Sequence, residues 1–268
     1  MNLETILEKI VAEKKQVVAQ AKAAVHTKAL TQSQQFAMAK PSLKQALLQP
    51  GASGIIAEFK RKSPSKGWIN QGASAASVVP AYVAGGASAL SILTDETFFG
   101  GSLTDMVPAQ HLAIPVLRKD FMVDEYQLIE AKAHGAAVVL LIAACLTPAQ
   151  VKSFSQTAHD LGMESLLEIH TEKELDHWHP GIELVGINNR NLKNFEVDLV
   201  HAFRLRESLP QGVVAIAESG IQSPETIAQF RSQDFSGFLM GEKFMREAHP
   251  GEALSQFVQT LQAQSHAH

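Results

Sequence analysis

From Gly54 onward, the chain alternates short apolar runs with longer amphipathic stretches. Each run holds four to six mostly aliphatic residues, which is the length and composition of a buried strand rather than of a helix. Apolar residues at intervals of three and four in the longer stretches predict helices between the strands. The pattern predicts strands at 55–60, 89–94, 116–119, 137–142, 165–169, 184–188, 214–218 and 237–240.

The stretches between the runs also carry signals for where helices begin. Thr147 and Ser223 each precede a proline, which places a capping hydroxyl beside a residue suited to a first helical turn. Eight strands alternating with helices predict an α/β fold of the (β/α)8 TIM-barrel type. A doubly wound open sheet is the alternative, but no G-x-G-x-x-G motif follows any of the strands. The predicted helices are 74–84, 124–134, 148–161, 171–178, 198–209 and 223–230, with a weaker one around 103–111.

The first fifty residues do not show this alternation of short apolar runs and amphipathic stretches. Residues 2–25 predict an amphipathic helix, and a short helix with proline in its first turn is predicted at 41–48. We therefore divide the chain into an N-terminal helical extension, 1–50, packed on the barrel, and a barrel domain, 51–268. The apolar stripe of the first helix comprises Leu3, Ile6, Leu7, Ile10 and Val11.

The composition limits the partners and the cellular compartment that we expect for the protein. The 268 residues are 46% hydrophobic, and 23 Lys and Arg against 27 Asp and Glu give a net charge of −4. This balance argues against nucleic acid or an anionic membrane as partner, and no apolar run has transmembrane length. The single cysteine, Cys145, excludes an internal disulfide, and the N-terminus lacks the features of a signal peptide. We expect a cytoplasmic protein.

Residues 55–65 begin as an apolar strand and then become ionic. Glu58 and Lys60 are two residues apart, so on an extended strand their side chains point to the same side. Charges in a run that begins apolar are costly unless they pair or bind a ligand. A strand that leads into a solvated basic turn would look the same, so the other strand ends must decide between the two interpretations.

Polar residues end most of the other predicted strands as well. In (β/α)8 barrels the carboxyl ends of the strands meet at one mouth, where active sites lie. A solvated strand end would explain any one of these residues, but the whole set favours a ring of functional groups at the mouth. Besides Glu58 and Lys60, the set comprises Lys119, Glu168, Asn188, Glu218 and Glu242.

Glycines stand where the last two strands end. Ser219-Gly220 and Gly241-Glu242 follow the seventh and eighth strands, where barrels often bind phosphate through backbone N–H groups. Ser63, in the neighbouring loop after the first strand, adds a hydroxyl. Tight turns that need glycine would give the same pattern. The prediction is a small phosphorylated ligand.

Taken together, these motifs resemble the indole-3-glycerol phosphate synthase family over essentially the whole chain. The strongest match is the segment IAEFKRKSPS at 56–65. Several ordered motifs at barrel-compatible spacing make the resemblance specific, although the segment MGEKFMR at 240–246 matches more loosely. The other matches are LTD at 93–95, FGG at 99–101, LRKDF at 117–121, LLEIH at 166–170, GINNR at 186–190 and AESGI at 217–221.

The resemblance implies an activity in tryptophan biosynthesis. The family closes the ring of 1-(2-carboxyphenylamino)-1-deoxyribulose 5-phosphate, with loss of carbon dioxide and water and without a metal or organic cofactor. It implies Lys119 as the general acid and Glu168 as the general base. Lys60 would bind the substrate carboxylate and is a second candidate acid.

The resemblance also implies supporting roles. Glu58, Asn188 and Glu218 would position the reacting groups and the sugar hydroxyls. The N-terminal extension would lie near the mouth, which makes it a candidate gate. Phe99, Phe121, Leu140 and Arg190 match positions that line the anthranilate pocket, and Ser63, Ser219, Gly220, Gly241 and Glu242 match the phosphate region.

Two other functions stay open on the residues alone. One is a different phosphosugar enzyme: an isomerase of the phosphoribosylanthranilate type would need a cysteine and aspartate pair, for which Cys145 is badly placed. An aldolase would instead need a lysine that forms a Schiff base. The other is a non-catalytic phosphate-binding barrel, which would have no use for Lys119 and Glu168 as an acid–base pair.

No metal site is predicted. His177 and His179 have a metal-like spacing, but their imidazoles diverge at a helix end and no third ligand stands nearby in sequence. We expect both histidines to lie on the surface. No obligate protein partner is indicated either.

Overall fold

The computed structural model describes residues 5–190 and 198–265, and within them eight parallel strands close into a barrel. Each strand pairs with the next along the chain, and the last pairs with the first. The predicted (β/α)8 class is confirmed. The strands are β1 (Ile55–Phe59), β2 (Ala89–Leu93), β3 (Val116–Lys119), β4 (Val138–Ile142), β5 (Glu164–Ile169), β6 (Leu184–Asn188), β7 (Val214–Glu218) and β8 (Phe235–Met240).

Helices precede the barrel in the chain, and the first residues of the predicted opening helix, 2–4, lie outside the described residues. Leu43 and Leu47 pack with interior strand residues such as Leu184 and Val214, so the last of these helices closes one end of the barrel. Glu164, the first residue of β5, accepts hydrogen bonds from the start of that helix. The helices are α1 (Ile6–Ala24), α2 (Thr27–Thr31), α3 (Gln34–Ala37) and α4 (Leu43–Leu48).

The helices around the barrel largely follow the predicted pattern. The Thr147 and Ser223 side chains accept hydrogen bonds from the backbone N–H groups of Gln150 and Thr226, so both predicted caps are confirmed. The helices are α5 (Ala75–Ala84), α6 (Glu96–Phe99), α7 (Tyr126–Ala133), α8 (Pro148–Asp160), α9 (Leu199–Glu207), α10 (Pro224–Arg231), α11 (Glu242–Met245) and α12 (Pro250–Ser265).

Several short elements and the C-terminus differ from the prediction, since α2, α3, α6 and α11 lie where no helix was predicted. The stretches predicted as helices around 103–111 and at 171–178 are 3-10 helices, Leu103–Ala109 and Glu172–His177, because short connectors favour the tighter turn. The sequence pattern did not identify α12, although Leu254, Phe257 and Leu261 follow its helical period and are buried. No helix within 5–190 or 198–265 is long and apolar enough to cross a membrane.

Side chains alternate along each strand between the barrel interior and the surrounding helices. In β1, Ile55, Ala57 and Phe59 pack in the core beneath the helices, whereas Ile56 packs in the barrel interior. The same alternation holds in β7, where Ile216 faces the interior. A polar residue near a carboxyl end therefore faces the barrel interior if an even number of positions separates it from an interior residue of the same strand. It faces the helices if that number is odd.

A buried group of charges attaches α1 to the barrel. The Nζ atom of Lys14 lies 2.8 Å from Asp95 Oδ2 and 2.7 Å from Asp120 Oδ1. Arg118 continues the group, with Nη2 3.1 Å from Asp120 Oδ2 and 2.8 Å from Glu130 Oε2. We call Lys14, Asp95, Arg118, Asp120 and Glu130 the anchoring cluster.

Candidate active site

A cavity of about 220 Å³ opens at the carboxyl ends of the strands. Every site residue that the sequence indicated contributes to its lining, which brings residues from distant parts of the chain together. Their individual roles stay predictions, since lining a cavity does not assign chemistry. These residues are Glu58, Lys60, Ser63, Phe99, Lys119, Phe121, Leu140, Glu168, Asn188, Arg190, Glu218, Ser219, Gly220, Gly241 and Glu242.

The alternation of side chains along each strand explains why the ionic residues reach the cavity. Glu58 stands two residues after Ile56, which faces the barrel interior. On β5, Leu166 faces the interior, and Glu168 and His170 continue the same face toward the mouth. Because the strand alternates with a period of two, an apolar interior position is followed on the same face by a polar position at the rim.

Lys119 stands between two carboxylates at the centre of the site. Its Nζ atom lies 2.6 Å from Glu218 Oε2 and 3.0 Å from Glu168 Oε2. Burial disfavours the charge of Lys119, but Glu168 and Glu218 outweigh burial and raise its pKa well above the usual range. Lys119 is therefore a cation across the neutral range. Lys60 and Glu58 form a second ion pair in the same cavity.

The two carboxylates around Lys119 differ in their affinity for protons. Burial works against ionisation of Glu168, but Lys119 and then His170 outweigh it and lower the pKa of Glu168 well below its usual range. Burial raises the pKa of Glu218 to about 7, reinforced by repulsion from Glu168 and opposed by Lys119. At neutral pH, Glu168 is thus the ionised carboxylate, and Glu218 is the one that exchanges a proton.

Two glycines leave the space that the carboxylates occupy. A Cβ atom on Gly186 would lie 2.2 Å from Glu218 Oε1, and one on Gly241 would lie 2.6 Å from Glu58 Oε1. Each buried carboxylate would have to shift, and a Cβ atom on Gly241 would also lie 2.9 Å from Glu58 Cβ, which is fixed by the strand backbone. Gly241, which the sequence indicated only for phosphate binding, is therefore also required by the packing of Glu58.

The loop after β7 has an unusual backbone. Ser219 and Gly220 have φ values of 67° and 79°, and serine rarely adopts this left-handed region. The Ser219 hydroxyl donates a hydrogen bond of 2.8 Å to Asn188 Oδ1, which also accepts from the backbone N–H of Arg190 at 3.1 Å. Asn188 Nδ2 in turn donates to Glu168 Oε1 at 3.0 Å. The strained turn thus supports the amide that orients Glu168.

Ser63 offers an unused hydrogen-bonding group to the cavity. Its side-chain oxygen is buried and has no hydrogen-bond partner among the described residues. A buried hydroxyl without a partner is costly, which is acceptable at a place where a ligand supplies the partner. This observation fits the predicted phosphate region.

An apolar wall completes the cavity. The rings of Phe99 and Phe121 lie 6.0 Å apart between centroids and are tilted by 37°, and both line the cavity. Helix α1 adds Ile6, Leu7 and Ile10 to the lining. The sequence placed these three residues on the stripe that packs on the barrel but did not assign them to the site itself.

Sequence reasoning also missed His170 as a site residue. This histidine lines the cavity and its Nε2 atom lies 3.2 Å from Glu168 Oε1. The sequence contained the information needed to find it, because His170 stands two residues after Glu168 and therefore lies on the same face of the strand.

The His177 and His179 pair binds no common partner. His177 Nε2 lies 2.8 Å from the Leu146 carbonyl oxygen, and His179 Nε2 lies 2.8 Å from Ser155 Oγ. Both histidines are half-buried, so each lies partly at the surface and contacts a different neighbour. Within the described ranges, no group of three or more His, Cys, Asp or Glu residues is arranged to hold a metal ion.

Comparison with known proteins relates this site to a family. A family model described as indole-3-glycerol phosphate synthase matches residues 7–257. The indole-3-glycerol phosphate synthase of Bacteroides thetaiotaomicron is 49% identical over 261 residues, which cover 97% of this chain and 100% of the relative. The protein of that name from Paracidovorax citrulli is 42% identical over 262 residues, with coverages of 94% and 98%.

Solved structures show the same fold at low sequence identity. The 3-hexulose-6-phosphate synthase of Salmonella typhimurium superposes with a TM-score of 0.61 at 10% identity, covering 77% of this chain and 97% of that one. The tryptophan synthase alpha subunit of Legionella pneumophila gives a TM-score of 0.60 at 13% identity, with coverages of 84% and 98%. At these identities the likeness concerns the fold alone.

Proposed function

The chain belongs to the indole-3-glycerol phosphate synthase family, and from that membership we propose that it closes the indole ring of 1-(2-carboxyphenylamino)-1-deoxyribulose 5-phosphate. The observation that carries the proposal is the position of Lys119 between Glu168 and Glu218 in a cavity with an aromatic wall. A cation that can donate a proton and a carboxylate that can accept one are the groups that this reaction requires.

The cavity offers contacts for each part of this substrate. The aromatic ring packs against Phe99, Phe121 and Leu140, and Lys60 pairs with the ring carboxylate. The phosphate takes the unpartnered hydroxyl of Ser63. Arg190, Ser219, Gly220, Gly241 and Glu242 complete the surroundings of the substrate.

Ring closure joins the ring carbon that bears the carboxylate to the keto carbon of the sugar. Negative charge develops on the keto oxygen, and Lys119 transfers a proton to it as the carbon–carbon bond forms. The bond to the carboxylate then breaks, which releases carbon dioxide and restores the aromatic ring. Lys60 holds the carboxylate in place until that bond breaks.

Dehydration completes the reaction. Glu168 accepts a proton from the CH2 carbon next to the ring nitrogen, and the electrons of that C–H bond form the new carbon–carbon double bond. The new hydroxyl leaves as water with a proton from an acid, for which Lys119 and Lys60 are the candidates. When Lys119 loses its proton, the positive charge that held the pKa of Glu168 low disappears, and Glu168 becomes a stronger base. Glu218, with a pKa of about 7 and an oxygen 2.6 Å from Lys119 Nζ, is placed to return a proton to Lys119.

The proposal includes no metal, organic cofactor or protein partner, because Lys119 and Glu168 supply the acid and the base. We also place the reaction in the cytoplasm, since the one cysteine, Cys145, is unpaired. The division into an extension, 1–50, and a catalytic barrel, 51–268, is part of the same proposal.

The test is a fluorescence assay for indoleglycerol phosphate formed from the synthetic substrate, with and without EDTA. We expect product at equal rates in both conditions. Absence of product contradicts the proposed function, and inhibition by EDTA contradicts the metal-free chemistry. Borohydride added with the substrate should trap no lysine adduct, since a trapped adduct would favour the aldolase alternative.

A further inference from the structure

The geometry around Glu168 points to a further positioning residue, His170, whose charge keeps the carboxylate of the general base ionised in the cavity. The inference rests on the proposed function, in which Glu168 accepts a proton from the substrate. His170 contacts Glu168 rather than the reacting atoms, so its contribution passes through that carboxylate.

The His170 ring lies between two carboxylates, although neither ring nitrogen meets hydrogen-bond geometry with a described residue. The residue is 8% exposed, and its Nε2 atom lies 3.2 Å from Glu168 Oε1. Its Nδ1 atom lies 3.7 Å from Glu174 Oε2, which also accepts hydrogen bonds from the backbone N–H groups of His170 and Thr171. Glu174 is thereby held in place on the far side of the imidazole.

The contacts of Glu168 divide between its two oxygens. Oε1 faces His170 at 3.2 Å and accepts from Asn188 Nδ2 at 3.0 Å. Oε2 faces Lys119 Nζ at 3.0 Å. Asn188 therefore holds Oε1 by a hydrogen bond, and His170 lies beside the same oxygen as a charged neighbour without hydrogen-bond geometry. The other oxygen is left to Lys119 and the substrate.

Within residues 5–190 and 198–265, the negatively charged side chains recorded at the His170 ring are those of Glu168 and Glu174. From α9, His201 Nε2 lies 2.8 Å from the His170 carbonyl oxygen and so contacts its backbone rather than its ring. The nearby Cys145 thiol is neutral, because burial raises its pKa to about 12.

These surroundings keep His170 positively charged. Burial alone lowers the pKa of a histidine, but Glu168 and then Glu174 outweigh burial and raise the pKa of His170 to about 10. Unlike Lys119, His170 is not required to give up its proton during the reaction. It is a constant positive charge beside the base, so its loss should raise the pKa of Glu168.

The test compares the pH dependence of kcat/KM in the wild type, His170→Gln and a control, His177→Gln. Glutamine keeps a donor of similar reach but carries no charge. We expect the acid limb of the profile to move up by about one pH unit in His170→Gln, as for a carboxylate that loses a cationic neighbour. His177 contacts the Leu146 carbonyl and does not line the cavity. The acid limb of the kcat/KM profile of the control should therefore lie at the same pH as in the wild type.

A second measurement does not depend on turnover. The imidazole 15N signals of His170, assigned by their absence in His170→Gln, should show both ring nitrogens protonated at pH 8. In Glu174→Gln, the same signals should titrate at a lower pH than in the wild type, because one of the two carboxylates is gone. If His170→Gln fails to fold, the ring signals whose titration moves in Glu174→Gln identify His170 and the measurement stands without that variant.

The outcomes separate the two proposals. A wild type without turnover contradicts the proposed function, and the role of His170 falls with it. An active wild type whose acid limb is unchanged by His170→Gln contradicts the role of His170 alone. A neutral His170 ring at pH 8 contradicts the role as well, because an uncharged imidazole would not hold Glu168 ionised.

Discussion

Arg118, Lys119 and Asp120 are consecutive residues, yet they belong to two buried groups of charges with different properties. Arg118 and Asp120 belong to the anchoring cluster with Lys14, Asp95 and Glu130. Lys119 belongs to a group at the cavity that we call the reactive cluster, which comprises Glu58, Lys60, Lys119, Glu168 and Glu218.

The anchoring cluster is saturated with partners. Asp120 Oδ1 pairs with Lys14 and accepts from the Phe121 backbone N–H at 2.8 Å, and Oδ2 accepts from Thr94 Oγ1 at 2.6 Å and pairs with Arg118. Burial opposes both charges, but Arg118 and Lys14 lower the pKa of Asp120, and Asp120 and Asp95 raise that of Lys14. Both groups stay ionised across the neutral range, so the cluster stabilises structure without exchanging protons.

The reactive cluster is not saturated. Glu218 Oε1 is buried and has no hydrogen-bond partner among the described residues, and the pKa of Glu218 is raised to about 7. Glu168 and Glu218 compete for one ammonium group, Lys119. Complete pairing suits the anchoring cluster to a structural role, whereas an open position and competing carboxylates suit the reactive cluster to the proton transfer that we propose.

The largest effect should come from Lys119→Met, which removes the shared cation. We expect kcat/KM to fall on the order of 10³-fold or more, because both the acid and the charge that stabilises the developing oxyanion are lost. The fluorescence assay measures the loss. Lys62→Met is the matched control, since Lys62 binds the Thr97 carbonyl outside the cavity and should keep wild-type turnover. Comparable activity in the two variants would remove Lys119 from the mechanism.

The next effect should be one of stability. Lys14→Met leaves Asp95 and Asp120 buried without their ammonium partner, and we expect a loss of about 3–5 kcal/mol in the free energy of unfolding. Urea denaturation measures this loss. Turnover of the folded variant should fall less than in Lys119→Met, because the reactive cluster is intact. Unchanged stability with strongly reduced turnover would assign Lys14 to the reactive cluster instead.

A smaller effect should appear in the pH dependence of stability. Because the pKa of Glu218 is raised from 4.5 to about 7 in the folded state, its contribution to stability is present below about pH 4.5 and is lost as pH rises through 7. Glu218→Gln lacks this titration. Between pH 5 and 8, the wild type should therefore lose stability relative to the variant, by at most about 1.4 kcal/mol per pH unit. Parallel stability curves would show that Glu218 titrates normally.

The smallest effect should come from Lys22→Met. Lys22 also lies on α1 and pairs with an aspartate of the barrel, Asp124, at 2.9 Å, but the two side chains are 48% and 36% exposed. We expect a change in the free energy of unfolding below about 1 kcal/mol, since water screens the pair. A loss equal to that of Lys14→Met would show that burial does not account for the anchoring cluster.

Local properties of the sequence determined the strands and the face on which each residue lies. The apolar runs located all of the strands that form the barrel within the described ranges, to within two residues at each end. The spacing of Glu58 and Lys60 correctly placed both on one side, where they form an ion pair. A period of two is a property of any extended chain, so neither inference required knowledge of distant residues. The same rule applied to β5 would also have identified His170.

Only the tertiary structure decided which charges meet. Barrel closure and register bring Lys119 of β3 between Glu168 of β5 and Glu218 of β7, although these residues lie 49 and 99 positions apart from Lys119 in the chain. The pKa of each group depends on those contacts and on burial, which no local pattern contains. The space for Glu218 likewise depends on Gly186 in the adjacent strand. The sequence thus determined the residues available to the site, and the packing of the closed barrel determined how they share protons.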